Sequence, residues 1–197
     1  MLIEMNNILK YNLGMMKDSF EQTDMAKRLA AFHMPRYDEL SDFDVYMDQL
    51  VQILDKYLSE FLIPGEEKVL TPSMINNYVQ QKVIEPPVKK KYNKIHIVYL
   101  MVIGILKQVL SIAEIVEILK TAIEEYPIEA AYNYFCREIE NALKATFETR
   151  TFDNIAHHIA KKKTLLSEYL RSAVLAFSNR IYVKKNIYYI NTLKENI

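Results

Sequence analysis

A chain of 197 residues with three glycines, six prolines and one cysteine lacks the turn formers of a many-stranded fold and has no partner for an internal disulfide. Half of it is hydrophobic, enough for a substantial core. Its most apolar run, Ile95 to Leu106, is far shorter than the roughly 20 residues that a membrane span needs. The 25 basic and 25 acidic side chains cancel, so total charge argues neither for nor against nucleic acid, but they are unevenly placed.

Residues 1–67 carry 6 basic and 13 acidic side chains, whereas residues 68–107 carry seven lysines against Glu85 alone. Acid dominates again over 108–149, and base from Arg150 onward. The two basic stretches are candidate anion-binding surfaces, or solvated helix faces. Met1-Leu2-Ile3-Glu4 has no basic leader and no apolar run of signal length, and a lone cysteine suits a reducing compartment. The expectation is a mainly α, cytoplasmic protein with no membrane association.

In chain order, residues 1–17 show no clear period. A helix is expected from Asp18 to Phe32, ending ahead of Pro35, because proline disfavours helical geometry in the residue before it. Ser41 as N-cap, with Asp44 as its acidic reply, is expected to open a second helix reaching about Ile63. There Phe43, Tyr46, Met47, Leu50, Leu54, Tyr57, Leu58 and Phe61 recur at three- and four-residue spacing as one apolar stripe. Pro64-Gly65 ends it.

Thr71 is a natural N-cap, and Pro72 suits the first helical position, where its missing N–H costs nothing. Placed at helical steps, Met74, Ile75, Tyr78, Val79 and Val83 share one half of the following helix. Ser73, Asn76, Asn77, Gln80 and Gln81 share the other, and Lys82 alone sits within the apolar half. An uncharged, carboxamide-rich face can pair with adenine edges in a major groove, or can simply be solvated.

Glu85-Pro86-Pro87-Val88-Lys89-Lys90-Lys91-Tyr92 then reads as a short extended excursion with cations and a hydroxyl suited to gripping phosphates. Asn93 caps a helix from Lys94 to Gln108, and Ser111 with Glu114 forms a capping box for another, to about Glu125.

Pro127 opens a helix with Ile128, Tyr132, Phe135, Ile139, Leu143 and Phe147 on one stripe. A second, from Asp153 to about Phe177, repeats the pattern with Ile155, Ile159, Leu166, Leu170, Val174 and Phe177, and together they make a helical hairpin. Residues 181–190, with a Lys-Lys-Asn turn, read as a terminal β-hairpin, with continued helix as the rival.

No Gly-rich phosphate loop, nucleophile elbow or Cys-x-x-Cys occurs, so no enzyme and no cofactor is expected. His157 and His158 are adjacent and cannot share a helix face as metal ligands. His96 and Cys136 lie among apolar residues and read as core. Tyr126, Tyr132, Tyr134 and Phe135 read as core, with an effector pocket as the alternative.

Ile75-Asn76-Asn77-Tyr78 through Val83-Ile84, then Pro87, Tyr92, Leu100 to Ile103, and Ser111-Ile112-Ala113-Glu114-Ile115 resemble the DNA-binding module of MerR-type regulators. Phe32-His33-Met34-Pro35-Arg36-Tyr37, Tyr46-Met47-Asp48-Gln49, Leu70 through Tyr78, and Leu106 through Ser111 look like a Gram-positive bacterial family known only as a domain of unknown function.

The MerR likeness implies a winged helix-turn-helix module over 41–126, between an N-terminal segment, 1–40, and a C-terminal helical region, 127–197. It implies duplex DNA as partner, with contacts from Ser73, Asn76, Asn77, Tyr78, Gln80, Gln81 and Lys82 on the recognition helix (71–83) and from Lys89, Lys90, Lys91 and Tyr92 on the wing (86–92). It implies a homodimer through the later helices, although packing within one chain explains their stripes equally well. Asn76 stands where the family has arginine, Lys82 where it has glycine, and the wing is shorter. The competing reading is a helical protein-interaction module that keeps the winged fold without DNA binding.

Overall fold

A computed structural model describes residues 20–149 and 164–195 of the chain. Among them seven α-helices follow in order: α1 Asp24–Ala30, α2 Met47–Leu58, α3 Pro72–Gln80, α4 Lys94–Leu106, α5 Ile112–Glu125, α6 Ile128–Lys144 and α7 Leu165–Glu195. Short 3-10 turns cover Tyr37–Glu39 and Ser59–Phe61, and a π-turn, Ala145–Thr149, extends α6. The protein is mainly helical, as its composition requires, and β pairing among the described residues is limited to two isolated bridges.

The most apolar run becomes α4, with ten of its thirteen residues buried. A helix hydrophobic all round must be covered on every side; α2, α5, α6 and α7 all pack on it. At Gly104 the Leu58 side chain of α2 packs onto α4: a Cβ there would lie 2.7 Å from Leu58 Cδ1. Residues from the segments 1–40, 41–126 and 127–197 all contribute to one buried cluster.

Three of the expected caps close as written. Thr71 Oγ1 accepts from the Met74 N–H at 3.3 Å, with Pro72 in the first turn. Asn93 Oδ1 accepts from the His96 N–H at 3.2 Å. Ser111 and Glu114 exchange bonds of 2.7 and 3.3 Å in a reciprocal box. Each satisfies amides that the first helical turn leaves without partners. Pro127 precedes α6 as expected, and α6 packs against α7.

Two expectations need correction, and two others reach into residues outside those described. The helix expected to begin after Ser41 begins at Met47. The Ser41 hydroxyl instead accepts from the Phe43 N–H, and Val45 is held extended by two bonds to Tyr92, so the chain cannot turn helical until Tyr46. Phe43, 82% exposed, and Tyr46, 50% exposed, therefore leave the apolar stripe.

The helix expected over 18–32 is described as α1, opened by Thr23, whose hydroxyl accepts from the Ala26 N–H at 3.2 Å. The helix expected from Asp153 is described only from Leu165. Ile155, Ile159, His157 and His158, like residues 1–17, lie outside the described residues.

Residues 181–190 form no β-hairpin but continue α7. Val174, Phe177, Ile181 and Lys185 are buried at helical spacing, and the Lys-Lys-Asn stretch is pinned rather than turned. Lys184 Nζ donates to the Phe61 carbonyl at 3.1 Å and pairs with Glu66, and Lys185 Nζ donates to the Leu62 carbonyl.

Candidate functional site

The helix α3 is amphipathic in the way its sequence dictates. Ile75 and Tyr78 are buried, while Ser73, Asn76, Asn77, Gln80 and Gln81 are exposed. On that exposed side Gln81 Nε2 donates to Asn77 Oδ1 at 3.2 Å, which orders two carboxamides relative to each other. The inner side is tethered by Lys107, whose ammonium donates to the Val69 carbonyl at 2.6 Å and lies 3.2 Å from Met74 Sδ. Burial lowers the Lys107 pKa. The start of α3 is thus fixed to the end of α4.

The C-terminal end of α3 explains an unexpected lysine. The Val83 N–H returns to the Tyr78 carbonyl at 2.8 Å and the Lys82 N–H to Val79 at 3.0 Å, which is the Schellman closure of a helix. That closure needs left-handed backbone, and Lys82 adopts it at φ 57°. Glycine takes such geometry without penalty, whereas an L side chain there costs about 1–2 kcal/mol.

The excursion after α3 is a two-residue hairpin. Val88 and Lys91 exchange both backbone bonds, at 3.1 and 2.9 Å, around Lys89 and Lys90. Both tip residues have positive φ, 50° and 64°, the signature of a type I′ turn, for which Asn-Gly is the comfortable sequence. Here two exposed lysines occupy it.

The hairpin stem is anchored at three points. Tyr92 pairs with Val45 through bonds of 2.9 and 2.8 Å. Lys91 Nζ lies 5.3 Å from the centre of the Tyr46 ring. His96, buried, lies edge-on to Tyr92 at 5.3 Å and places Nε2 3.1 Å from the Glu85 carbonyl.

The seven lysines of 68–107 divide by task. Lys68 pairs with Asp55 at 3.0 Å, Lys94 with Asp42 at 2.5 Å while also lying over the Tyr37 ring, and Lys107 serves the carbonyl of Val69. Lys82, Lys89 and Lys90 are exposed and make no ion pair among the described residues. Those three, with Lys91, are the cations left to meet an anion.

Two candidate residues are placed elsewhere by the fold. Tyr78 and Tyr92 are buried at 6% and 3% exposure, and burial raises the pKa of both hydroxyls. They hold α3 and the hairpin to the core instead of facing solvent. The apolar phase of Tyr78 on the helix already pointed that way, but nothing local marked Tyr92. The pinning of the hairpin stem by Val45, across 47 positions, and the role of His96 against Tyr92 depend on distant partners and were illegible in the sequence. Among the described residues no group of three or more His, Cys, Asp or Glu is arranged to hold a metal, and no helix is long and apolar enough to cross a membrane.

The fold is that of a mainly helical protein in which an amphipathic helix and a lysine-tipped hairpin are each anchored to one packed core. Over residues 35–135 the chain matches the family described as Domain of unknown function (DUF1836), and it belongs to that family. The matched span contains α2 to α5 whole and ends within α6. No curated protein and no solved structure matches the chain.

Proposed function

We propose that this protein is a cytoplasmic, non-enzymatic DNA-binding regulator in which α2 and α3 form a MerR-like helix-turn-helix and the hairpin at 88–91 its wing. The observation that carries the reading is the exposed, uncharged amide face of α3, followed a few residues later by a tip built from lysines in strained geometry. Ser73, Asn76, Asn77, Gln80 and Gln81 supply donors and acceptors for base edges, with Asn and Gln suited to adenine. Lys82, Lys89, Lys90 and Lys91 supply charge for phosphates. Regulators of this kind read paired half-sites as dimers. Val183 and Ile187, one turn apart on α7 and each 55% exposed, are a candidate contact between two copies.

The test is selection of a duplex from a randomised pool, followed by fluorescence anisotropy across a salt series. A Lys89/Lys90/Lys91→Ala variant should flatten the slope of log affinity on log salt by up to about 2.7 units. Asn76→Ala with Gln80→Ala should erode sequence preference and leave that slope unchanged. Failure to enrich any duplex, or variants indistinguishable from the parent, would overturn the proposal. A sedimentation mass of one chain at micromolar concentration would remove its twofold part.

A second reading, a protein-interaction module, is favoured by three exposed apolar side chains, Phe43, Tyr46 and Val88, at 82%, 50% and 69% exposure, of which Val88 is in the hairpin and Tyr46 lies against its Lys91. Recovery of one stoichiometric protein partner, lost on Phe43→Ala and indifferent to the lysines, would select it over duplex binding.

A further inference from the structure

We infer a binding site for a small, neutral, apolar molecule in the cavity enclosed by α4, α5, α6 and the first turns of α7. The cavity measures about 300 Å³. That is the lower end of the range for pockets that hold small organic molecules, roughly 300–1,000 Å³.

Its chemistry specifies the occupant. Val102 of α4, Ile118 of α5, Ala131 and Phe135 of α6, and Leu166 and Leu170 of α7 form the walls, and no charged side chain lines it among the described residues. Thr164 and Ser167, also at its edge, are already committed to each other. Ser167 donates its N–H to Thr164 Oγ1 at 3.1 Å and its hydroxyl to the Thr164 carbonyl at 2.8 Å, closing the start of α7. A carboxylate or ammonium entering there would lose its hydration, and among the described lining residues the polar atoms left without a partner are the buried hydroxyls of Tyr132 and Tyr134; two neutral hydroxyls suit an uncharged ligand better than an ion.

The remaining polarity is aromatic. Tyr126, Tyr132 and Tyr134 all line the space with Phe135, so the aromatic cluster singled out in the sequence is gathered around one cavity. Tyr126, 42% exposed, and Ile123, 46% exposed, stand at its solvent side. A lining of aromatic rings and aliphatic groups suits an aromatic molecule or a short branched aliphatic one. The site stands independently of duplex binding.

The test is titration of the full chain with N-phenyl-1-naphthylamine, a neutral dye that fluoresces when removed from water. Saturable binding of one dye per chain is expected, weakened at least tenfold in Ala131→Phe and in Ala122→Phe, each of which fills the space. The milder Ala131→Leu serves if either phenylalanine variant loses its cooperative thermal transition. 1-Naphthol should displace the dye at least tenfold more effectively than 1-naphthoate. Non-saturable fluorescence, or unchanged affinity in folded filled variants, would overturn the site. Equal displacement by naphthoate would overturn the assignment of a neutral ligand.

Discussion

Arg36 and Glu140, 104 positions apart, meet in a forked ion pair, with Nη1 2.8 Å and Nη2 2.5 Å from the two carboxylate oxygens. The same carboxylate accepts from the Met34 N–H at 2.9 Å and lies 3.1 Å from His33 Nδ1. Asn133 Oδ1 meanwhile accepts from the Tyr37 N–H at 2.9 Å. The irregular stretch from His33 to Tyr37 is thereby laid along α6, and the Glu140 hydrogen bond raises the pKa of Arg36 further. The Phe-His-Met-Pro-Arg-Tyr motif is thus an architectural clasp.

Arg36→Ala should destabilise the protein by about 2–3 kcal/mol, since it leaves a half-buried carboxylate without its main partner. The double variant Arg36→Ala/Glu140→Ala should lose less than the sum of the singles, by about 1–2 kcal/mol, in a urea-denaturation cycle. Additive losses would mean that the fork contributes no coupling.

The hairpin tip gives a prediction of opposite sign. Replacing Lys89-Lys90 with Asn-Gly relieves two left-handed lysines and should raise stability by about 1 kcal/mol, measured by urea midpoint. Lys82→Gly should act alike, by about 0.5–1 kcal/mol, because the gain in backbone freedom of the unfolded chain offsets part of the relief. The Asn-Gly variant keeps the turn while removing two charges. It should bind a selected duplex more weakly despite being more stable.

Acid should act through Glu66. Burial alone would raise its pKa, but the Lys184 ammonium and the Ile63 N–H, 2.9 Å away, outweigh it and hold the carboxyl below its ordinary value. A carboxyl with a lowered folded pKa adds stability that is fully present above the unfolded value of about 4.3 and is lost as pH falls through the folded one. Glu66→Gln should therefore flatten the acid limb of the stability–pH curve below about pH 5. An unchanged limb would exclude this carboxyl from the acid transition.

Cys136 should be inert while the chain is folded. It is fully buried, its thiol faces the Pro35 carbonyl at 3.6 Å, and burial above all pushes its pKa up to about 12. Only the thiolate is nucleophilic, so alkylation by iodoacetamide at pH 8 should be slower by at least about 100-fold than in urea-unfolded chain. Rapid labelling of native protein would contradict the packing around α6.

What was legible in the sequence was local. Thr71-Pro72, Asn93 and Ser111 with Glu114 announce helix starts because their side chains satisfy amides three residues away, and all three were found. The two-sided pattern of α3 was equally plain, since helical phase depends only on its own residues. What failed depended on distant partners. Ser41 is a sound cap by composition, yet Val45 is drawn into pairing with Tyr92, and α2 starts late. Residues 181–190 have the composition of strands, but Phe177 and Ile181 find a core and Lys184 and Lys185 find carbonyls, so helix prevails. Tyr92 was read as a phosphate donor from its place beside three lysines. Only the fold reveals that its ring turns inward onto His96.

The two lysines on the last helix bear on how the molecule can be taken apart. They rest on the carbonyls of Phe61 and Leu62, at the end of the 3-10 turn that follows α2, and Phe177 meets Phe61 edge-on at 4.9 Å in the same corner. A fragment excised at residue 135 would bare that aromatic floor and strip the Arg36 clasp of its carboxylate. The stretch held in common with DUF1836 is therefore a piece of a larger folding unit, and dissecting this protein for study should begin by keeping its C-terminal helix attached.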